Sequence, residues 1–162
     1  MVKRSELVLF LDDLKTRFLK QPAGVQVETA ISAKMDEVIQ RIWGRREPVR
    51  SFALMAIGGY GRGTVHPQSD IDLLFFFRDV IEEETIKAVL HPLFDLPFRV
   101  GHQIRHAPDF AVFDDGQMES YTAFLDARFL VGDDQLAQDF QKTILPHLVR
   151  RHRDRLPRHG RA

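Results

Sequence analysis

The sequence predicts an α/β or α+β domain in which helices surround a small sheet of three to five strands. Two observations carry that prediction. Several long stretches place their apolar residues at three- and four-residue steps, as one face of a helix requires. Between them lie short unbroken apolar runs that end at glycines, the form of strands covered on both faces. No stretch repeats and none is of low complexity, so the 162 residues read as the length of one typical domain with room for a real core.

Taken in order, Leu7, Phe10, Leu11, Leu14 and Phe18 predict a helix over 5–20, with Ser5 as its N-cap and Gln21-Pro22-Ala23-Gly24 as its end. Ala30, Ala33, Met35, Val38, Ile39 and Ile42 predict a second, from Val25 to Trp43, stopped at Gly44. "RREPVR" (45–50) is a polar connector. "SFALMAI" (51–57) is a buried strand that stops at Gly58, and 58–69 form a loop with a turn or two of helix. Ile71 to Phe77 is a second strand, helical spacing returns over 81–96, and "PFRVGHQIR" (97–105) is a third strand. Beyond it "DFAVFDDG", "QMESYTAFLDARFLVG" and "DDQLAQDFQKTILPHLVRRHRDRL" all read as helical, with stops at Gly116 and Gly132. Pro146 should kink or divide the last of them. The expected organisation is a helical segment over 1–48, a core over 49–106 and a helical extension over 107–162.

Composition narrows the function classes. Hydrophobic residues at 44% and charged residues at 28% suit a soluble globular protein. The formal net charge is zero, so no global field points to nucleic acid or to a membrane. The absence of cysteine excludes disulfides, thiolate metal sites and cysteine nucleophiles, and suits a reducing cytoplasm. Asp12, Asp13 and Lys15 interrupt the apolar start, which therefore lacks the form of a signal peptide. No apolar run approaches the ~20 residues of a membrane span. From Val149 onward the chain carries six arginines and two histidines. That stretch is either a solvated helix end or a phosphate-binding tail, but no aromatic residue follows Val149 to stack a base, so nucleic acid is not an expected partner. The chain stops in charged residues without a closing apolar element, as a piece of something longer would.

The stretch that points to chemistry is "IGGYGRGTVHPQSDIDLLFFF", Ile57 to Phe77. Glycines at a strand end let backbone amides approach phosphate closely, because no Cβ obstructs them. Gly-Gly after an apolar run is by itself most often a turn, and the spacing matches neither the dinucleotide fingerprint nor a Walker loop. Asp70 and Asp72 say more. Residues two apart on a strand point to one face, so both carboxylates project together while Ile71 enters the core. Like charges that close repel unless a cation lies between them, and a hard divalent ion, Mg²⁺ above all, meets that need while leaving positions for substrate phosphates. The competing reading is a pair of solvated acids matched by nearby arginines.

An apolar strand, Gly-Gly, about ten residues and then Asp-apolar-Asp on the next strand resembles the nucleotidyltransferase superfamily related to DNA polymerase beta. "GGYGRGTVHPQSDIDLLFFF", "FRVGHQIR", "ESYTAFLDARFLVGDDQL" and "RHRDRLPRHG" are similar in type and order to the branch of bacterial uridylyltransferase/uridylyl-removing enzymes that act on the nitrogen-regulatory PII protein, over about residues 50–160. The resemblance implies a small mixed sheet with flanking helices, the polymerase-beta-like fold, and a longer, multidomain, cytoplasmic parent. It implies Asp70 and Asp72 as catalytic residues and ligands of Mg²⁺, with Mn²⁺ as a substitute. It implies nucleotide binding by Gly58, Gly59, Arg62 and Ser69: amides of the glycines and the Ser69 hydroxyl on the β- and γ-phosphates, and Arg62 on the leaving pyrophosphate. The implied reaction transfers UMP from UTP to a tyrosine hydroxyl of a PII-type protein. AMP transfer, or a nucleotide-binding regulatory module of the same fold without transfer, are the alternatives. One departure stands out: where many members carry a third carboxylate on a later strand, "FRVGHQIR" has none. His102 is then either a base or substrate contact, or a histidine satisfied at the sheet edge; Glu119 and Asp126, on a predicted helix, are either acids that approach the site or surface residues, and the remaining alternative is a group from beyond Ala162.

Overall fold

The structure is a computed structural model that describes residues 2–22, 24–44, 50–111 and 118–155. Helices α1 (Arg4–Lys20) and α2 (Gly24–Trp43) precede strand β1 (Phe52–Ala56) and a single helical turn, α3 (Gly58–Gly61). Strand β2 (Ile71–Phe77), helix α4 (Glu83–Phe94) and strand β3 (Val100–His106) follow. A 3-10 turn (Ala107–Ala111), helix α5 (Met118–Phe124), strand β4 (Arg128–Gly132), helix α6 (Asp134–Asp139), a π-helical turn (Phe140–Ile144) and helix α7 (Leu145–Arg155) complete the order.

The four strands form one mixed sheet in the order β3-β2-β1-β4. β1 runs antiparallel to both of its neighbours, and β2 pairs with β3 in parallel, with α4 as the crossover. The oily runs are explained by cover on both faces. Phe52, Leu54, Ala56, Ile71, Leu73, Phe75 and Phe77 meet Leu7, Ile31, Met35, Val38, Ile39 and the α4 residues Val89 and Leu93 on one side. Ala53, Met55, Leu74 and Phe76 meet Phe110, Tyr121, Phe124, Leu136, Phe140 and Leu148 on the other. Each phenylalanine so buried contributes roughly 1.5–3 kcal/mol relative to exposure.

Two expectations need correction. Ser5 is not the N-cap: α1 begins at Arg4, and its cap residue Lys3 makes no side-chain capping bond. "ARFLVG", expected to continue a helix, is β4, which pairs with β1 from Arg128 to Gly132. Five residues with no clean period fit either form, and the unpaired edge of β1 decides for the strand. Gly132, with φ +102 and the Phe52 carbonyl against its α-carbon, ends it in a conformation that L residues rarely adopt. The helix from 133 onward is divided, as expected from Pro146, which is the second residue of α7, just after the π-helical turn, where its missing N–H and its ring disturb the preceding ladder. The connector over 45–49, the stop at Gly116 and the arginine-rich residues 156–162 lie outside the described residues.

Candidate active site

The end of β1 and the start of β2 are tied together: Ile57 N–H donates to the Asp72 carbonyl at 3.0 Å. Gly58 takes φ +57 to begin α3 directly over that junction, and the ideal Cβ position of Gly58 lies 3.8 Å from Asp72 Oδ2. Ile71 is fully buried. The flanking Asp70 side chain is 46% exposed and Asp72 is half-buried, as alternation about a core-facing isoleucine dictates.

Gly59, Arg62, Ser69, Asp70 and Asp72 line one cleft of about 410 Å³, together with Arg99. The structure thus brings five of the six sequence-selected residues to one cavity and sets the sixth, Gly58, beside Asp72. Larger hollows lie along α1 and α2, and none of these six residues lines them.

The charges in the cleft are partly matched. Arg99 Nε lies 2.9 Å from Asp70 Oδ1, and an Arg62 guanidinium nitrogen lies 2.6 Å from Asp126 Oδ2. Burial, and then the neighbouring Asp70 charge, push the Asp72 carboxyl above the usual carboxylate range. Gly101 stands opposite Asp72 in the parallel register. A Cβ there would run into the Asp72 carboxylate, so the glycine supplies the space into which that carboxylate leans. Among the described residues no three acids or histidines gather into a metal cluster. Two convergent carboxylate groups in an open cleft nevertheless fit a hard divalent ion that keeps several waters and takes its other oxygens from phosphate.

His102 does not line that cleft, though it borders a smaller hollow of about 240 Å³ together with Asp72 and Gly101. It is paired with Leu73 in the register, on the opposite face from Asp72, and its ring packs 6.3 Å from Phe75 and 6.4 Å from Phe94. Of the two other acids, Asp126 is held by Arg62, itself a residue of the cleft wall, and the Glu119 side chain lies outside the described residues.

Sequence reasoning also missed what holds the glycine turn. Tyr60, 1% exposed, donates its hydroxyl to Asp36 Oδ1 at 2.7 Å. Arg128 on β4 donates to both Asp36 oxygens at 2.7 and 3.1 Å, and to the carbonyls of Gly61 and Tyr60 at 3.3 and 3.2 Å. Its guanidinium also lies over the Tyr60 ring, 5.5 Å from the centroid. α2, α3 and β4 are therefore pinned by one satisfied polar network. No local signal marks it, because Asp36 looks like any polar position on an amphipathic helix.

Residues 34–106 match the nucleotidyltransferase domain family, a span that begins within α2 and so includes Asp36. The bifunctional uridylyltransferase/uridylyl-removing enzyme of Caulobacter vibrioides is 36% identical over 141 residues, covering 79% of this chain and 15% of that protein. The enzyme of the same description from Vibrio vulnificus is 31% identical over 148 residues, covering 88% of this chain and 17% of that protein. The chain thus spans only 15% and 17% of the length of these two relatives. A crystal structure of the toxin-antitoxin MntA-HpeT aligns with a TM-score of 0.47 at 15% identity, over 75% of this chain and 90% of that one.

Proposed function

We propose, from the nucleotidyltransferase domain that residues 34–106 carry and from their kinship with uridylyltransferases, that this chain transfers UMP from UTP to a tyrosine hydroxyl of a PII-type signalling protein. The observation that carries the reading is the shared cleft: Asp70 and Asp72 converge beside a glycine turn, with Ser69 and two arginines on the same walls.

Asp70 and Asp72 would hold Mg²⁺ or Mn²⁺. When bound, the ion lowers the charge on the α-phosphate and steadies the attacking oxygen. The chain's own groups bind and orient. The first N–H groups of α3, at Gly58 and Gly59, have no earlier carbonyl within the turn and are offered to the β- and γ-phosphates. Ser69 adds a hydroxyl, and Arg62 neutralises charge on the leaving pyrophosphate. The acceptor oxygen forms a bond to the α-phosphorus as the bond from that phosphorus to the bridging oxygen breaks, releasing pyrophosphate; the phenolic proton leaves to solvent. Placement and electrostatics supply the rate.

The decisive measurement incubates the protein with a PII-type protein, Mg²⁺ and α-labelled UTP or ATP. Label passing to the acceptor from UTP, and lost in Asp72→Asn, is expected; label from ATP alone overturns the uridylyl assignment. A second reading, a nucleotide-binding module without transfer, draws on β3, whose residues on the Asp72 face are Gly101, Gln103 and Arg105, none of them acidic. It predicts nucleotide-dependent thermal stabilisation with no labelled acceptor.

A further inference from the structure

Arg99 was given no role by the sequence, yet its side chain reaches into the cleft. Its Nε lies 2.9 Å from Asp70 Oδ1, and a terminal nitrogen donates to the Gln68 carbonyl at 3.1 Å. The main chain beneath it is fixed, since Ile71 N–H donates to the Arg99 carbonyl at 2.8 Å and Val100 pairs with Ile71 in the sheet. The side chain is 78% exposed. A single-nitrogen contact in so much water is weakly held, unlike a two-pronged guanidinium–carboxylate pair in a dry site.

We infer that Arg99 serves Asp70 as a counter-cation that a divalent ion displaces, and that the displaced guanidinium then binds nucleotide phosphate. This rests on the reading of the cleft as a metal–nucleotide site and adds a residue and a coupling to it. A divalent charge held by Asp70 and Asp72 repels a guanidinium so close to the same oxygen, and the planar fork suits a phosphate better than a single carboxylate oxygen does. Only the side chain has to swing, because the backbone is pinned. Metal and nucleotide therefore favour each other: the ion frees Arg99, and phosphate gives it a new partner, a coupling that acts equally in both directions.

The test compares Arg99→Gln with the wild-type chain by calorimetric titration of Mn²⁺ alone, and of UTP with and without Mn²⁺. Removing the competitor for Asp70 should tighten Mn²⁺ binding roughly two- to fivefold, the worth of an exposed ion pair. UTP binding in the presence of Mn²⁺ should weaken roughly tenfold, the scale of a lost charged hydrogen bond. Arg99→Lys, which keeps the charge without the fork, should leave Mn²⁺ affinity near wild type and still weaken UTP. Opposite signs for the two ligands are the signature. Both affinities unchanged, or both weakened together in a variant of wild-type thermal midpoint, would overturn the inference while leaving the proposed function intact. A wild-type chain that binds neither Mn²⁺ nor UTP would overturn both.

Discussion

Arg128 on β4 and Asp36 on α2 lie 92 positions apart in the chain and meet through two hydrogen bonds of 2.7 and 3.1 Å. The same carboxylate takes the Tyr60 hydroxyl, so the helix before the sheet and its last strand both grip the turn that carries Gly58 and Gly59. The site's glycine loop is short, and its position is set by these anchors rather than by its own sequence.

Asp36→Ala removes the acceptor for a buried phenol and for a guanidinium at once. A buried donor left without its partner costs about 1–3 kcal/mol, and urea unfolding should show a loss of that size. Because α3 is released with Tyr60, nucleotide-dependent thermal stabilisation should shrink as well. Tyr60→Phe, which keeps the Arg128–Asp36 pair, should cost less on both measures.

Two glycine substitutions should separate function from folding. At Gly101, among the described residues, only the Asp72 side chain lies within reach of a new Cβ, so Gly101→Ala should fold with a near-wild-type thermal midpoint while the Asp72 carboxylate is pushed aside and Mn²⁺ binding falls roughly tenfold or more, the scale of a loosened metal shell. At Gly61 the Cβ would strike the Asp126 carbonyl, which is backbone. Gly61→Ala should therefore unfold at clearly lower temperature, by an overpacking cost of about 1–3 kcal/mol.

Asp72→Asn should reduce transfer by on the order of a thousandfold, the equivalent of several kcal/mol of lost electrostatic stabilisation. In the metal-free protein it should also raise the thermal midpoint at neutral pH. Burial and the Asp70 charge disfavour the ionised carboxylate there, and the amide carries no charge to disfavour. A midpoint that falls would contradict that balance.

Alkaline pH should unfold the protein through Tyr60. Burial, followed by the charge and hydrogen bond of Asp36, raises its phenol far above the ordinary value of 10.0. The unfolded chain releases that proton near pH 10 and the folded chain keeps it, so the folded state binds more protons and stability must fall as pH rises past that point. The Tyr60 phenolate should appear in the ultraviolet spectrum only as the fold is lost, and Tyr60→Phe should flatten the decline.

How much of this was legible depends on range. The helical spacing of α1, α2 and α4, the apolar runs of β1 and β2, and the alternation that sends Ile71 inward with Asp70 and Asp72 outward are all local, and a local pattern follows from backbone geometry alone. β4 was not legible, because "ARFLVG" has no decisive period and becomes a strand only when β1 offers it an edge. His102 was a candidate base until the register set it beside Leu73, on the far face from Asp72. Gly101, seen in sequence only as an acid's absence, proves to be the space that the Asp72 carboxylate occupies.

The sequence by itself determined the paired carboxylates, the glycine turn and the oily strands that carry them, because spacings of a few residues fix which side chains share a face. Only the tertiary structure decided that Arg99 would neutralise Asp70 and that Asp36 and Arg128 would anchor the turn. Those contacts join residues 29 and 92 positions apart, and such distances are closed by packing of the whole chain, for which no local pattern of residues provides a record.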